Sequence, residues 1–189
     1  FLQKIAIIEI YLMYTVFYTE CLADERKKVY KILKENNLIK ARRELSYLVS
    51  RDTENLEKKD IIRSTMETIS ENTVDGVIAP MFFMFLGGLP LAMVYKAINT
   101  MDSMLGYKNE KYKDFGYFSA KIDDAANFIP ARITGGILIP VACFFLKYDF
   151  KSSIRKYFRD RKNHASPYSA HPESAVAGAL GVQFCGKTT

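Results

Sequence analysis

The sequence predicts an all-α protein, a polytopic integral membrane bundle with amphipathic helices on the cytoplasmic side and a possible re-entrant segment. Residues 76–95 contain no charged side chain, and a helix that crosses a bilayer needs ~20 apolar residues. A second apolar stretch ends at Leu146, and segments rich in Lys, Arg and Glu separate the two. The mean hydropathy of -0.07 is therefore an average over segregated apolar and charged segments.

The charge balance fits a membrane protein whose cytoplasmic loops carry excess basic residues. The chain has 27 Lys and Arg against 21 Asp and Glu, a net charge of +6, and such an excess is typical of loops on the cytoplasmic side. The basic residues alternate with acidic ones instead of forming one stripe, so we expect no nucleic-acid partner. Cys21, Cys143 and Cys185 have no paired spacing, which argues against a disulfide framework or a zinc site.

The N-terminal third is predicted to contain three helices. Residues 1–18 are predicted to be the end of a membrane helix, and residues 21–47 a soluble helix whose basic face lies near anionic head groups. Thr53 is the predicted N-cap of the next helix. That helix carries three charged residues at successive i, i+4 positions on one face: Arg63, Glu67 and Glu71.

The uncharged stretch 76–95 has polar clusters at both ends, and its path is open at this point. It can cross the bilayer once. Alternatively, Gly87-Gly88-Leu89-Pro90 can break it into a re-entrant hairpin with arms of roughly 15 Å, about half the hydrocarbon thickness. A hairpin would return Asn99 and Asp102 to the side of Glu71 and Asp75, whereas a single crossing would separate them.

The second half is predicted to alternate helices and polar loops. Residues 96–106 continue the helix, 107–118 form a polar and aromatic loop, and 119–146 form a second membrane helix. Four polar residues lie at its boundary: Asp123, Asp124, Asn127 and Arg132. Charged groups at that depth must pair with each other, a metal or a ligand. A basic amphipathic linker over 147–163 and a loop over 164–173 precede a small-residue helix over 174–181.

The C-terminal residues 181–188 fit the pattern G-x-x-x-x-G-K-[ST] of a phosphate-binding loop. That motif must follow a buried strand and open a helix, so that backbone amides can surround the phosphates. Residues 174–180 are rich in Ala and Gly and predict no strand. We therefore expect the match to be a coincidence.

Many polar motifs in one order resemble the CobD/CbiB family of cobalamin biosynthesis. The resemblance covers residues 41–181 and is carried by these motifs: Arg51-Asp52-Thr53, Glu67, Glu71-Asn72, Asp75-Gly76, Ala79-Pro80, Gly87-Gly88-Leu89-Pro90, Tyr95-Lys96-Ala97, Asn99-Thr100, Asp102-Ser103-Met104, Gly106-Tyr107, Asn109-Glu110, Tyr112, Phe115-Gly116, Asp123-Asp124, Asn127, Pro130-Ala131-Arg132, Ser166-Pro167, Pro172-Glu173 and Ala177-Gly178-Ala179-Leu180-Gly181. The chain departs from the family pattern at Ser50, Tyr168, Ala170 and Cys185. Residues 1–189 then form a single membrane domain, which we expect to be a fragment lacking the family's N-terminal segment and C-terminal tail.

The resemblance implies a multi-pass enzyme of the cell membrane, adenosylcobinamide-phosphate synthase. Such enzymes join (R)-1-amino-2-propanol, or its O-phosphate, to the propionate carboxyl of adenosylcobyric acid as an amide. The family is classed as ATP-dependent ligases, so ATP and Mg²⁺ are the expected cofactors. Other corrinoid-assembly enzymes are possible partners. The alternative is a corrinoid-binding or transport component of the membrane without catalysis.

The reaction class suggests roles for the polar residues. Amide formation needs an activated carboxyl, such as an acyl phosphate, and Mg²⁺ prefers carboxylate and phosphate oxygens. The candidate metal ligands are Asp75, Asp102, Asp123 and Asp124. The candidate catalytic residues are Glu67, Glu71, Asn72, Asp75, Asp102 and Arg132, with Glu67 or Glu71 accepting the proton of the attacking amine. The candidate substrate-binding residues are Arg51, Asp52, Asn99, Thr100, Ser103, Tyr107, Asn127, Ser166 and Glu173.

Overall fold

The computed structural model describes residues 11, 20–49, 52–105, 113–162, 166 and 168–184. The all-α prediction is confirmed for this part of the chain, which contains helices, turns and loops and no strand. The helices are α1 Glu20–Lys34, α2 Leu38–Ser46, α3 Lys58–Thr73, α4 Ala79–Leu105, α5 Lys113–Ala126, α6 Phe128–Ile133, α7 Ile139–Phe145, α8 Phe150–Asp160 and α9 Ala170–Leu180. Two π-helical turns, Val74–Ile78 and Thr134–Leu138, join α3 to α4 and α6 to α7.

Helices α1 and α2 and the start of α3 share a small apolar core. Its buried residues are Val29, Ile32, Leu33, Ala41, Leu45 and Ile61. The single helix predicted over residues 21–47 is wrong, because the chain turns at Asn36, which has a φ of 56°, and the Asn37 side chain caps α2 by accepting from the Lys40 amide. Thr53 is not the cap of α3. Its hydroxyl donates to the Arg42 carbonyl, and Glu57 occupies the N-cap position.

The chain reverses its direction inside α4. Gly88 has φ 64° and ψ -164°, which is not helical, and it divides α4 into arms over residues 79–86 and 89–105. The rings of Phe83 and Tyr95 stack with their centroids 5.1 Å apart. Twelve residues of continuous helix would separate them by ~18 Å. Of the two paths that the sequence allows, the structure therefore has the hairpin.

Helices α6 to α9 form the other half of the fold. The second apolar helix predicted over 119–146 is present, with a bend at Asn127 and a start at Lys113, where a loop was predicted. Residues 147–163 are not a linker, because α8 contacts α7 and the π-helical turn Thr134–Leu138 and packs against α9. A Cβ on Gly178 would lie 2.5 Å from the Ser152 carbonyl oxygen, so glycine is what permits this close approach. Helix α9 begins at Ala170, earlier than predicted.

Two helical stretches are long and apolar enough to cross a membrane: Lys58–Met104, which includes the hairpin, and Phe128–Phe145. Large apolar side chains are exposed along both. They are Met81, Phe85, Leu86, Met93, Val94, Ile137, Val141, Phe144 and Phe145. Phe85, beside the hairpin turn, exposes 92% of its surface. Apolar patches of this extent mark surfaces that contact lipid or another protein.

Candidate active site

A chain of buried polar groups lies at the open end of the hairpin. The Tyr95 hydroxyl donates to Asn127 Oδ1 at 2.9 Å, and Asn127 Nδ2 donates to Asp123 Oδ2 at 3.0 Å. These three side chains are at most 1% exposed. Tyr95 comes from the return arm of α4, Asp123 from α5 and Asn127 from the bend that follows, so the hairpin fold is what brings the network together.

Asp75 enters the same cluster from the π-helical turn before α4. π-Helical turns are rare in proteins, and those that occur are often found at functional sites. Asp75 lies within electrostatic reach of Asp123 and Glu71, and the Asn99 side chain approaches both Asp75 and Asp123. Glu71, one turn earlier, accepts a 3.0 Å hydrogen bond from the Ser169 hydroxyl. The turn that precedes α9 therefore closes the cluster on one side.

Two carboxylate oxygens in this cluster are buried without a donor. Asp75 Oδ1 and Asp123 Oδ1 are inaccessible to solvent and have no hydrogen-bond partner among the described residues. Buried polar atoms are paired in the great majority of cases, because an unpaired one carries its full desolvation cost. The cluster is thus suited to a ligand that donates hydrogen bonds or carries positive charge.

The environment shifts the pKa values of groups outside the two apolar helical stretches. Burial, followed by the charge of Asp102, raises the pKa of Asp123 to about 6, although the side chains of Asn127, Tyr168 and Asn99 act in the opposite direction. Burial and the nearby carboxylates of Asp75 and Asp123 raise the pKa of the Tyr168 hydroxyl far above its usual range. Tyr168 is 8% exposed and stays a neutral phenol at all physiological pH values.

The structure brings together six of the predicted site residues: Glu71, Asp75, Asn99, Asp102, Asp123 and Asn127. Asp102 and Asp124 are half-buried and interact electrostatically with each other, and Asp124 also pairs with Lys121 at 3.7 Å. Of the two alternatives left open by the sequence, the observed fold has the hairpin, which places Asp75 and Asp102 at the same end of the apolar segment. A single straight crossing would have kept them apart.

Three predicted catalytic residues make other contacts. Glu67 is buried and lies 4.0 Å from the Arg63 guanidinium, as the i, i+4 spacing predicts. The Asn72 amide donates to the Thr68 carbonyl of its own helix at 3.0 Å. Arg132 donates to the Phe128 carbonyl and stacks on the Phe128 ring at 3.4 Å, so its guanidinium is used within its own helix.

The predicted substrate-binding residues are scattered. Thr100 and Ser103 are exposed, and the Ser103 hydroxyl donates to the Asn99 carbonyl. Asp52 is exposed and lines a cavity of about 460 Å³ beside α2. Ser166 accepts a long 3.5 Å hydrogen bond from the Ser169 amide, and Glu173 is buried at a cavity of about 420 Å³ between α8 and α9. Arg51 and Tyr107 lie outside the described residues.

Comparison with known proteins agrees with these motifs. The family model described as "CobD/Cbib protein" matches residues 1–189. The chain belongs to the CobD/Cbib family. It is 57% identical to the cobalamin biosynthesis protein CobD of Clostridium perfringens over 93% of this chain and 55% of that protein. It is 51% identical to CobD of Listeria monocytogenes serotype 4b over 94% of this chain and 56% of that protein, and 47% identical to CobD of Yersinia enterocolitica over 94% and 56%. This chain spans about half the length of the curated relatives it matches. No solved structure matches it.

Sequence reasoning missed two aromatic residues of this CobD/Cbib site. Tyr95 lies on the same helix face as Asn99 and Asp102, at i, i+4 and i+7, so this spacing was a usable signal. Tyr168 is one of the positions at which the sequence departs from the family pattern, so the family motifs did not indicate it. In the structure Tyr168 packs in the core with Val74, Ala79, Tyr95 and Ala131. Nothing in the sequence predicts this position, because it depends on how α9 docks.

The phosphate-loop interpretation of residues 181–188 finds no support in this CobD/Cbib chain. Helix α9 precedes these residues, and Gly181 ends that helix with a φ of 67°. Residues 185–189 lie outside the described part of the chain. The strand that a phosphate-binding loop requires before it is absent from residues 168–184, where the structure has a helix instead.

The carboxylates do not converge into a ready-made metal site. No group of three or more His, Cys, Asp or Glu residues close enough to hold a metal ion occurs in the described part of the chain. Mg²⁺ in phosphoryl-transfer sites needs only one or two carboxylates, with water and phosphate oxygens completing its shell. Asp102 and Asp124, half-buried and close to each other, fit that requirement better than Asp123, which is 1% exposed, and Asp75, whose Oδ1 atom is inaccessible to solvent.

Proposed function

We propose that this chain is the catalytic part of a membrane enzyme of cobalamin biosynthesis, an adenosylcobinamide-phosphate synthase. It would join (R)-1-amino-2-propanol, or its O-phosphate, to the propionate carboxyl of adenosylcobyric acid with ATP as co-substrate. The observation that carries this proposal is the cluster of buried carboxylates with unpartnered oxygens. The name that the relatives share, cobalamin biosynthesis protein, supports the pathway.

The roles follow from burial and position. Asp102 and Asp124 would hold Mg²⁺, which would neutralise the phosphates of ATP. Glu71 is a suitable base for the attacking amine, because the Ser169 hydroxyl already orients one of its oxygens towards the cluster. The buried side chains of Tyr95, Asn127 and Asp123 are hydrogen-bonded to each other. They would therefore need little reorganisation when a substrate binds beside them. An enclosed site also protects an activated carboxyl from hydrolysis.

The test is amide formation by purified protein in lipid nanodiscs with adenosylcobyric acid, ATP and Mg²⁺, and with either amine. We expect Asp123→Asn and Asp75→Asn to lower kcat/KM by at least ~100-fold, as for the loss of other preorganised electrostatic contacts in an enclosed site. Asp24→Asn is the matched control, because Asp24 is exposed on α1 and pairs only at the surface with Lys27. Full activity of both site variants would refute the assignment, and corrinoid binding without turnover of ATP would favour the transport alternative.

We further propose that α4 enters the membrane as a re-entrant hairpin. Twelve helical residues separate Asp75 from Gly87, so the turn would lie ~18 Å above the carboxylates, a little over half of the ~30 Å hydrocarbon core. The exposed apolar side chains beside the turn support this placement. Helix α6 to α7 would supply a crossing segment beside it, in a multi-pass protein of the cell membrane.

Thiol labelling tests the hairpin in a variant whose native cysteines are replaced. Ile62 and Ser103 are exposed at the two ends of the hairpin, and Phe85 is exposed beside its turn. Ile62→Cys and Ser103→Cys should react with a membrane-impermeant maleimide from the same side of sealed vesicles, and Phe85→Cys should be protected. Labelling of positions 62 and 103 from opposite sides would contradict the hairpin.

A further inference from the structure

We propose that Asp75, Asp123 and Tyr95 form the binding site for the primary ammonium group of the amine substrate. The identity of that amine rests on the proposed function. The requirement for a compact, hydrogen-bond-donating cation comes from the side chains alone.

The directions of the hydrogen bonds leave the Tyr95 oxygen as an acceptor. Asp123 Oδ2 needs a donor, and Asn127 Nδ2 supplies it at 3.0 Å. This contact fixes the orientation of the Asn127 amide, so its oxygen must accept from Tyr95, at 2.9 Å. The Tyr95 hydroxyl proton is therefore committed to Asn127, and the lone pairs of Tyr95 Oη remain available as acceptors.

The carboxylates of Asp75 and Asp123 lie close to the Tyr95 hydroxyl. Asp75 lies within interaction range of the Tyr95 hydroxyl, and Asp123 acts on the same hydroxyl. Asp75 Oδ1 and Asp123 Oδ1 are both buried and have no donor among the described residues. The cluster thus contains two carboxylate oxygens without a donor and a phenol oxygen whose proton is already donated, while Asn99 and Tyr168 act on the same carboxylates. Such an arrangement is stable when a donor with several N–H or O–H groups binds to it.

Negative charge exceeds positive charge in this cluster. Asp75 interacts with Glu71 and Asp123, and Asp123 interacts with Asp102. Among the described residues, Lys96 is the cation that acts on Asp75, so four carboxylates share one lysine. Buried carboxylates with too little counter-charge are costly, and a ligand cation relieves that cost.

The number and type of acceptor oxygens favour an ammonium group over a metal ion. A primary ammonium has three N–H donors, which match two carboxylate oxygens and one phenol oxygen. Mg²⁺ requires near-octahedral coordination and keeps several waters, which suits Asp102 and Asp124, since both are half-buried and neither has a buried oxygen without a partner. The two carboxylate pairs would then hold different cations, the amine at Asp75 and Asp123 and the metal at Asp102 and Asp124.

The test compares two ligands that differ only in the cationic group. Calorimetry on the protein in nanodiscs would measure the affinity for (R)-1-amino-2-propanol O-phosphate and for propane-1,2-diol 2-phosphate, which has a hydroxyl in place of the amine. We expect the wild-type protein to prefer the amine by ~10-fold or more, as for a charge-assisted hydrogen bond. Asp123→Asn and Asp75→Asn should reduce this preference to about threefold or less. Tyr95→Phe, which removes one uncharged acceptor, should reduce it less.

Mn²⁺ binding in the presence of ATP, followed by electron paramagnetic resonance, separates the two carboxylate pairs. Asp124→Asn should weaken Mn²⁺ binding and keep the preference for the amine, and Asp123→Asn should do the reverse. If Asp123→Asn loses helical content by circular dichroism, the amine preference of Asp75→Asn alone tests the proposal. Asp75 is half-buried and Asp123 is buried, so we expect the change at Asp75 to disturb folding less. The proposal is overturned if the folded variants prefer the amine as strongly as the wild type, or if they lose Mn²⁺ instead.

The outcomes distinguish this inference from the proposed function. A wild-type protein that binds the amine through Asp75 and Asp123 but forms no amide would leave the ammonium site intact and remove the synthase assignment. If the wild-type protein forms the amide and both variants keep its preference for the amine, the synthase assignment stands and the ammonium site is refuted.

Discussion

Replacing Gly88 by alanine tests the reversal of α4, because the two possible paths of this segment predict effects of opposite sign. Gly88 has φ 64° and ψ -164°, a combination that side chains bearing a Cβ rarely adopt. Strain at such a position costs ~1–3 kcal/mol. In a continuous membrane helix the same substitution would stabilise by up to ~1 kcal/mol, because alanine has the higher helix propensity.

The expected loss comes from backbone strain and not from a clash. A Cβ on Gly88 would meet only Pro90 Cδ, at 3.7 Å, which is an ordinary contact. Gly87 is the matched control. Its φ of -146° is accessible to alanine, but an added Cβ would lie 2.9 Å from Leu91 Cδ2 and 3.0 Å from Leu91 Cβ. Gly87→Ala therefore measures the cost of displacing Leu91 at the same turn, without the positive φ that makes alanine unfavourable at residue 88.

The measurement is the free energy of unfolding in mixed micelles, followed by far-ultraviolet circular dichroism. We expect Gly88→Ala to lower it by ~1–3 kcal/mol relative to the wild type. An unchanged or increased value for Gly88→Ala would refute the hairpin, because it would mean that residue 88 has helical backbone angles. The same sample can be used for the thiol-labelling experiment.

Three other substitutions test the packing around the site. Tyr95→Phe leaves the buried Asn127 Oδ1 without its donor, and we expect a loss of ~1–3 kcal/mol in the same unfolding measurement; no loss would mean that water replaces the hydroxyl. Gly178→Ala places a Cβ 2.5 Å from the Ser152 carbonyl oxygen, and overpacking should cost ~1–3 kcal/mol or more; a neutral effect would contradict the close contact of α8 and α9. Burial, with nearby guanidinium groups, lowers the pKa of His171 from 6.5 to about 4. The unfolded chain therefore binds a proton between these values while the folded chain does not, so the His171 contribution to stability is lost as the pH falls from 6.5 to about 4. The difference in stability between wild type and His171→Gln should shrink over that range, and a pH-independent difference would exclude this role.

The helical content and the positions of most helices follow from the sequence, because they depend on local patterns. The charge-free stretch 76–95, the i, i+4 charges of α3 and the small residues of α9 each indicate helix from near neighbours alone. The errors lie at helix ends and connections. Thr53 has the right residue type for a cap, but the Arg42 carbonyl, 11 residues earlier in the chain, accepts its hydroxyl instead.

The composition of the site could also be predicted in part. Polar residues beside an apolar stretch are costly unless they bind something, so Asp75, Asp123 and Asn127 were candidates from their positions alone. Arg132 satisfied the same criterion and is nevertheless used by its own helix, through the Phe128 carbonyl and ring. Residue type and depth do not reveal the direction of a side chain around its helix once neighbouring helices compete for it.

The sequence by itself determined the family, the helical class and the presence of carboxylates at both ends of an apolar segment. It supplied Gly87 and Gly88, which permit a reversal and also occur in straight membrane helices. Only the tertiary structure decided between these paths, because the choice depends on contacts between residues distant in sequence, such as the stacked rings of Phe83 and Tyr95, which one straight helix would hold ~18 Å apart. The same reversal places Tyr95 beside Asp75 and Asp123 and so creates the cluster of acceptor oxygens, which the sequence alone does not predict.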